Sequence, residues 1–294
     1  MSSVAVVAHA GKSIGGGLRE LRAALEREGV TDPIWYEVDK SKRAPRLVRQ
    51  AVDGGADVVF VWGGDGMVQR SIDAMAALPE KKRVPIAIVP AGTANLLASN
   101  LGIDSDISTA VVVGLHGARK PLDVGVMNGE RFAVMAGTGF DALLMGDVDS
   151  GRKSRLGRLA YVWSGAKYLR MPRFDARIKV DGKKWFKGRA SCVLVGNVGK
   201  IFGGVEVFPD AEPDDGALSV GVVTAHGAVQ WARALARAVA GDPARSPFVR
   251  TTDGRKIRVD LGKKMPYELV GGDRMRTERL KIDVEYHAIQ VCVP

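Results

Sequence analysis

Residues 58–75, VVFVWGGDGMVQRSIDAM, limit the fold more than any other stretch of the chain. Five apolar residues run directly into Gly-Gly-Asp-Gly. Val68, Ile72 and Met75 then recur at helical spacing. An apolar run of that length, closed by glycines and followed by a helix, reads as a buried parallel strand with a tight strand-to-helix turn. Glycines at such a turn let backbone N–H groups approach an anion closely, and the helix N-terminus favours the same anion. A carboxylate in the turn would repel phosphate unless it acts through a metal or accepts a proton. A tight turn with a capping Asp65 accounts for the same four residues.

The surrounding sequence repeats the pattern. VAVVAHA (4–10) reads as a strand, followed by a helix over 17–29 with Leu18, Leu21 and Leu25 on one face. PIWYEV (33–38) is a strand, and RAPRLVRQAVDGG is a helix stopped by Gly54 and Gly55. VPIAIVPAG (84–92) is another buried strand, and VPAGTANLLASNLGI (89–103) ends it in Gly92, Thr93 and Asn95 before an apolar helix. Alternation of this kind predicts a largely parallel sheet with covering helices, whose ligands bind beyond the carboxyl ends of the strands. Two glycine turns at adjacent strand ends could hold one polyphosphate between them.

After about residue 125 the pattern changes. RFAVMAGTG, ARIKVDG, SCVLVGN, LSVGVVT, KIRVDLG, LKIDVEY and AIQVCVP are short strand-like segments, punctuated by turns such as Asp181-Gly182. They predict an antiparallel sheet or sandwich interrupted by helices at 154–169 and 228–241. The expected organisation is an α/β domain over 1–125, a β-rich domain over 126–284, and a final strand over 285–294 returning to the first domain.

The basic excess belongs to the second part. Of the net charge of +10, residues 1–125 account for +1 and residues 126–294 for +9. An anionic partner facing that half would explain it, as would an ordinary basic surface. Helix 228–241 carries Val229, Trp231, Leu235 and Val239 with Arg233 and Arg237 between them. Lys153, Arg155 and Arg158 flank the other helix. Such a composition suits either a membrane interface or a core helix with solvated arginines. The two cysteines, Cys192 and Cys292, have no metal or disulfide spacing, and no apolar run reaches the ~20 residues of a membrane span. The start of the chain reads as a strand rather than a signal peptide. These features lead to an expectation of a cytoplasmic protein, with peripheral contact at an anionic membrane left open.

Several motifs fail on inspection. GKS at 11–13 has Val6 where a P-loop needs glycine. AGTGFDA (136–142) echoes a dinucleotide fingerprint, but in a β-rich context. His9, His116, His226 and His287 lack metal spacing, there is no GxSxG elbow, and no nucleic-acid-binding module is present.

Taken in order along nearly the whole chain, the motifs resemble the diacylglycerol kinase catalytic family, the bacterial lipid kinases related to sphingosine kinases. The matching segments are GGDG (63–66), PAGTANLLASNLGI (90–103), LDVGVMNGERFAVMAGTGFDA (122–142), LGRLAY (156–161), FGGVEVFPDAEPDDGALSVGVV (202–223) and the closing AIQVCVP. The resemblance implies transfer of a phosphoryl group from ATP, with Mg2+, to the hydroxyl of diacylglycerol or a similar lipid alcohol. It places Gly63, Gly64, Asp65, Gly66 and Met67 on the ATP-phosphate loop, with Gly92, Thr93 and Asn95 at the second nucleotide contact. Asp65 and Asp123 match acids that hold the catalytic magnesium through waters. Asp215 matches a ligand of a second, structural magnesium, completed by backbone carbonyls near Glu212 and Ala217. Asp273 aligns with the general base. The resemblance also leaves a homodimer open.

The chain departs from the family pattern at several points. GGDGTxNE is GGDGMVQR here, so Met67 replaces a hydroxyl and Arg70 reverses a charge. AHAGKS replaces an Asn-Pro near the first strand, and Leu96 stands where an acid often follows the Asn. Gly271 and Asp273 occupy a D-G-E/D motif. A nucleotide- or lipid-binding relative with little or no turnover, and an NAD kinase-like enzyme that shares GGDG, are the alternative readings.

Overall fold

The structure is a computed structural model, and it describes residues 3–139, 173–201 and 205–294. Contacts divide the chain into two compact units, Met1–Val124 with Tyr286–Pro294, and Gly125–Glu285.

The first unit alternates strands and helices. Its elements are β1 (Val4–His9), α1 (Gly17–Arg27), β2 (Ile34–Val38), α2 (Ala44–Asp53), β3 (Val58–Gly63), α3 (Asp65–Ala76), β4 (Ile86–Pro90), α4 (Leu96–Asn100) and α5 (Ile107–His116), followed by β5 (Ala118–Met127), which leads into the second unit. β2, β1, β3 and β4 lie side by side in that order, all parallel. The last strand, β16 (Arg274–Val293), joins the far side of β4 in parallel, pairing Val291 with Ile86. α2 packs with α3, and α1 packs with α5. Every residue of β3 is buried, as a strand covered on both faces requires. The carboxyl ends of the parallel strands share one edge, and the two glycine turns fall there.

The sequence reading did not include α5. Its run of Val111, Val112 and Val113 disguises it as a strand. The signal is Asp106, whose carboxylate accepts the Thr109 N–H at 2.8 Å and so caps the helix.

The second unit contains β6 (Glu130–Phe132), β7 (Met135–Thr138), β8 (Phe174–Val180), β9 (Lys183–Ala190), β10 (Cys192–Gly196), β11 (Lys200–Ile201), β12 (Val205–Glu206), β13 (Leu218–Val223), α6 (Gly227–Val239), β14 (Val249–Gly254) and β15 (Lys256–Leu269), with the first part of β16. RFAVMAGTG thus forms two strands, while LKIDVEY and AIQVCVP belong to one. The long β15–β16 ribbon shifts register between Asp260 and Met265. Beyond the shift it pairs with β7 and continues through β10, β13 and β14. Before it, β15 pairs with β8, and β8 with β9. Inner residues of both sets share one core that includes Phe174, Ile178, Val193, Leu218, Val220, Ile257 and Leu280.

The outer face of β9, β8, β15 and β16 is charged. β8 alternates buried and exposed residues along its whole length. Cross-strand register places Lys184 opposite Lys179, Lys179 opposite Arg258, and Arg258 opposite Lys281. The next outward row runs Lys187, Arg177, Asp260, Arg279. The expected Asp181-Gly182 turn joins β8 to β9, both residues having positive φ.

The helix expected over 154–169, with Lys153, Arg155 and Arg158, lies outside the described residues. So do LGRLAY and parts of AGTGFDA and the 202–223 segment. The helix expected over 228–241 is α6. Ala234 is its one buried residue, and Val229 is 66% exposed. No helix among the described residues is long and apolar enough to cross a membrane.

Candidate functional site

The two glycine turns touch. A Cβ placed on Gly92 would lie 2.5 Å from the Gly64 Cα, and one on Gly64 would lie 3.0 Å from the Gly92 Cα. Nothing larger than glycine fits where the turns meet. The two turns that the sequence reading allowed to hold one polyphosphate are thus adjoining surfaces at one edge of the sheet.

Asn95 and Asp65 lock this arrangement. Asn95 adopts φ +47° and uses its amide twice, accepting the Gly92 N–H at 2.8 Å and donating to the Gly92 carbonyl at 2.9 Å. Asp65, the first residue of α3, accepts the Leu96 N–H at 2.6 Å. One carboxylate therefore ties the β3 turn to the start of α4. Burial holds the Asp65 carboxyl above its ordinary range, against the lowering effect of the backbone N–H groups around it, Leu96 first.

α3 begins without a side-chain cap, because its N-cap is Gly64. Its first turn offers backbone N–H groups and the positive end of a 12-residue helix to an anion. Gly63 and Met67 explain one another: a Cβ on Gly63 would lie 2.5 Å from the Met67 Cβ. Met67 is buried at 2% exposure, so its side chain is part of the core and only its backbone is available to a phosphate. Gly66 is half-buried, and Thr93 is exposed at the tip of the second turn.

Lys12 was set aside with the rejected GKS motif. It is exposed in the loop after β1, whose carboxyl end shares the edge of β3 and β4, and its carbonyl accepts the Trp62 indole N–H at 3.3 Å. The signal that would have found it is topological. β1 and β3 are adjacent strands whose connections leave in opposite directions, the crevice where open α/β sheets bind ligands.

Asp123, expected at a magnesium beside Asp65, is completely enclosed, and one of its oxygens accepts the His287 N–H at 2.6 Å. His287 has φ +48°. As it stands, the carboxylate fixes a left-handed turn in β16 within the first unit.

In the second unit, Asp215, Glu212 and Ala217 line one small recess with Asn197, Ser219 and Asp253. Asp215 accepts the Ala217 N–H at 2.8 Å, so the PDDG loop closes on its own carboxylate. Asp273 is exposed in the turn between β15 and β16, after Gly271 at φ +73°. It adjoins the pair between Arg274 and buried Glu268, at 3.1 Å.

Among the described residues, no group of three or more His, Cys, Asp or Glu side chains is placed to hold a metal. Magnesium does not require such a group, since it keeps several waters and binds through one or two carboxylates and substrate phosphates.

An α/β unit with glycine turns at its strand tips, followed by a β-rich unit, defines a group of folds that includes NAD kinases and diacylglycerol kinases. The solved structure of an NAD kinase from Archaeoglobus fulgidus in complex with ATP shares it at TM-score 0.54 and 13% identity, covering 98% of this chain and 93% of that one. A diacylglycerol kinase from Bacillus anthracis shares it at TM-score 0.78 and 19% identity, covering 100% and 97%. Both likenesses concern the fold alone.

Sequence similarity is more particular. Residues 4–127 match the diacylglycerol kinase catalytic domain, and residues 134–293 match the YegS C-terminal NAD kinase beta sandwich-like domain. The diacylglycerol kinase of Bacillus subtilis (strain 168) is 30% identical over 230 residues, covering 78% of this chain and 75% of its own. The chain belongs to the diacylglycerol kinase catalytic family of lipid kinases.

Proposed function

We propose that this protein is an ATP- and Mg2+-dependent lipid kinase that transfers the γ-phosphoryl group to the hydroxyl of diacylglycerol or a similar lipid alcohol. The observation that carries the proposal is the paired glycine turn. Two loops in contact through Gly64 and Gly92, locked by Asn95 and Asp65, spend glycines and a partly buried carboxylate at the site where a nucleotide phosphate would bind.

Each residue then has a task. The backbone of Gly63, Gly64, Gly66 and Met67, with the α3 N-terminus, binds phosphate. Gly92, Thr93 and Asn95 form the second contact, and Lys12 adds a cation at the same edge. Asp65 holds the two turns together and would hold magnesium through waters. Asp123, which also accepts the His287 N–H, is the second acid that would hold that magnesium through waters. Magnesium, when bound, neutralises charge on the transferring phosphoryl group. Asp215, with carbonyls near Glu212 and Ala217, is the candidate set for a second, structural magnesium. Asp273 accepts the proton of the attacking hydroxyl. The protein works as a peripheral enzyme at an anionic membrane.

Asp273→Asn tests the base. General-base removal costs on the order of 10²–10⁴ in rate, so turnover falls by at least about a hundredfold while ATP affinity stays within twofold. Turnover equal to the parent protein would remove Asp273 from the mechanism.

One feature favours a second reading, a nucleotide-binding relative without turnover. Met67 is enclosed where the family carries a hydroxyl. ATP binding with no transfer to any lipid alcohol would establish it.

A further inference from the structure

A lipid kinase must meet a substrate dissolved in a bilayer, and two surfaces of the second unit compete for that contact. α6 presents Val229 and Val239, at 66% and 52% exposure. The outer face of β9, β8, β15 and β16 presents cations. From the charge ladder of that sheet face we infer that it is the surface that docks on an anionic phospholipid bilayer. The inference rests on the lipid-kinase reading for its biological sense, but on the ladder for its evidence.

The ladder carries an electrostatic cost. Like charges directly opposite one another in a sheet are destabilising. Here Lys184, Lys179, Arg258 and Lys281 stand in one unbroken cross-strand row. The partial relief is Asp283, which takes the Arg258 guanidinium at 2.9 and 3.1 Å. In the adjacent row, Asp260 is the one acid among Lys187, Arg177 and Arg279. Folding gains nothing from such a row, whereas a flat sheet of anionic headgroups would neutralise it.

The shape agrees. Neighbouring strands lie about 4.8 Å apart, so four strands give a platform roughly 15–20 Å wide. Arg279 and Lys281 also border a recess of about 520 Å³ with Asn128, Thr277 and Asp283, whose carboxylate is already taken by Arg258, so the recess gives a headgroup phosphate somewhere to sit. Single-stranded nucleic acid would call for stacked aromatic rings. Trp185, which follows Lys184 in β9, is partly buried and packs against the core, and the exposed ring of Tyr286 is already stacked on His287 in the first unit. A bilayer needs no such rings, and each cation near its surface contributes about fivefold to partitioning.

The test is vesicle co-sedimentation of the full chain, with phosphatidylcholine alone or mixed with phosphatidylglycerol, at low and high salt. The variant is Lys179→Gln with Lys281→Gln. Neither residue belongs to the proposed nucleotide site, and removing them relieves the repulsion around Arg258, so the variant melts no lower than the parent. The parent is expected to bind only the anionic vesicles and to be released by salt. The variant is expected to lose about thirtyfold in partitioning, with turnover on lipid dispersed in neutral detergent micelles unchanged.

Unchanged vesicle binding in the variant would overturn the inference, as would equal binding to neutral vesicles. Loss on Val229→Glu with Val239→Glu but not on the lysine pair would assign the contact to α6 instead. Binding to an RNA or DNA oligonucleotide with none to vesicles would make the face a nucleic-acid surface. Vesicle binding is read without any turnover, so a protein that bound anionic vesicles through these lysines but phosphorylated no lipid would fail the kinase reading alone.

Discussion

Asp65→Asn is expected to lower phosphoryl transfer at least about a hundredfold while the protein melts at the same temperature or higher. On the proposed function two roles meet in this residue, and they respond oppositely to the change. As the acceptor for the Leu96 N–H, Asp65 is replaceable, because the Asn oxygen can take the same bond. As the group that orients metal-bound water it is not, because the amide lacks the charge. Loss of several kcal/mol of charge stabilisation corresponds to a hundredfold or more in rate.

The stability half follows from the direction of the pKa shift. Burial raises the Asp65 pKa in the folded state. A raised carboxyl contributes stability below its unfolded value, and loses it as the pH rises through the folded one. At neutral pH the buried charge is therefore a burden, and Asn removes it. The melting-temperature advantage of the variant should shrink as the pH falls below the ordinary carboxylate range. Retained activity would make Asp65 a structural clamp only, and a large drop in melting temperature at neutral pH would contradict the burial argument.

Gly92→Ala is expected to weaken ATP binding, to slow transfer and to destabilise the first unit. Its new methyl group would stand 2.5 Å from the Gly64 Cα and 2.7 Å from the Asn95 Oδ1. The first of these is backbone and cannot rotate away. Overpacking of this kind costs about 1–3 kcal/mol, and displacement of a reacting group by about 1 Å costs on the order of a hundredfold in rate. Gly64→Ala should be milder, since its contact to the Gly92 Cα is 3.0 Å. Titration with ATP and thermal melts of both variants check the order. Parent-like affinity in Gly92→Ala would mean that the contact between the turns is not required.

Much of the first unit was legible because two periods dominate it. Continuous apolar runs at 58–62 and 84–90 can hardly be anything but covered strands, and the helices between them carry clear faces. α5 escaped because three consecutive valines favour a strand reading until tertiary cover decides for a helix. The β5–β6 turn was also there to be read in Asn128-Gly129, a strong hairpin pair, and both residues have positive φ. β9 was hidden by its lysines, since Lys183-Lys184 and Lys187 look like a solvated loop until β8 pairs with them.

At the site, the glycines and Asp65 were legible as residue types, but their partners were not. No local pattern says that Asp65 reaches Leu96, or that Gly64 and Gly92 touch, because those contacts depend on β3 and β4 being neighbours. The same holds for Asp123, whose hydrogen bond spans more of the chain than any motif does. The charge ladder is a property of register, and a single sequence does not show register.

The central claim is tested most directly by transfer of labelled γ-phosphate from ATP in magnesium. The acceptors are diacylglycerol, other lipid alcohols and NAD, with the lipids in neutral detergent micelles. The account predicts label on a lipid alcohol and none on NAD, with transfer lost in Asp65→Asn and Asp273→Asn. Label on NAD, or ATP bound with no acceptor labelled, would contradict it.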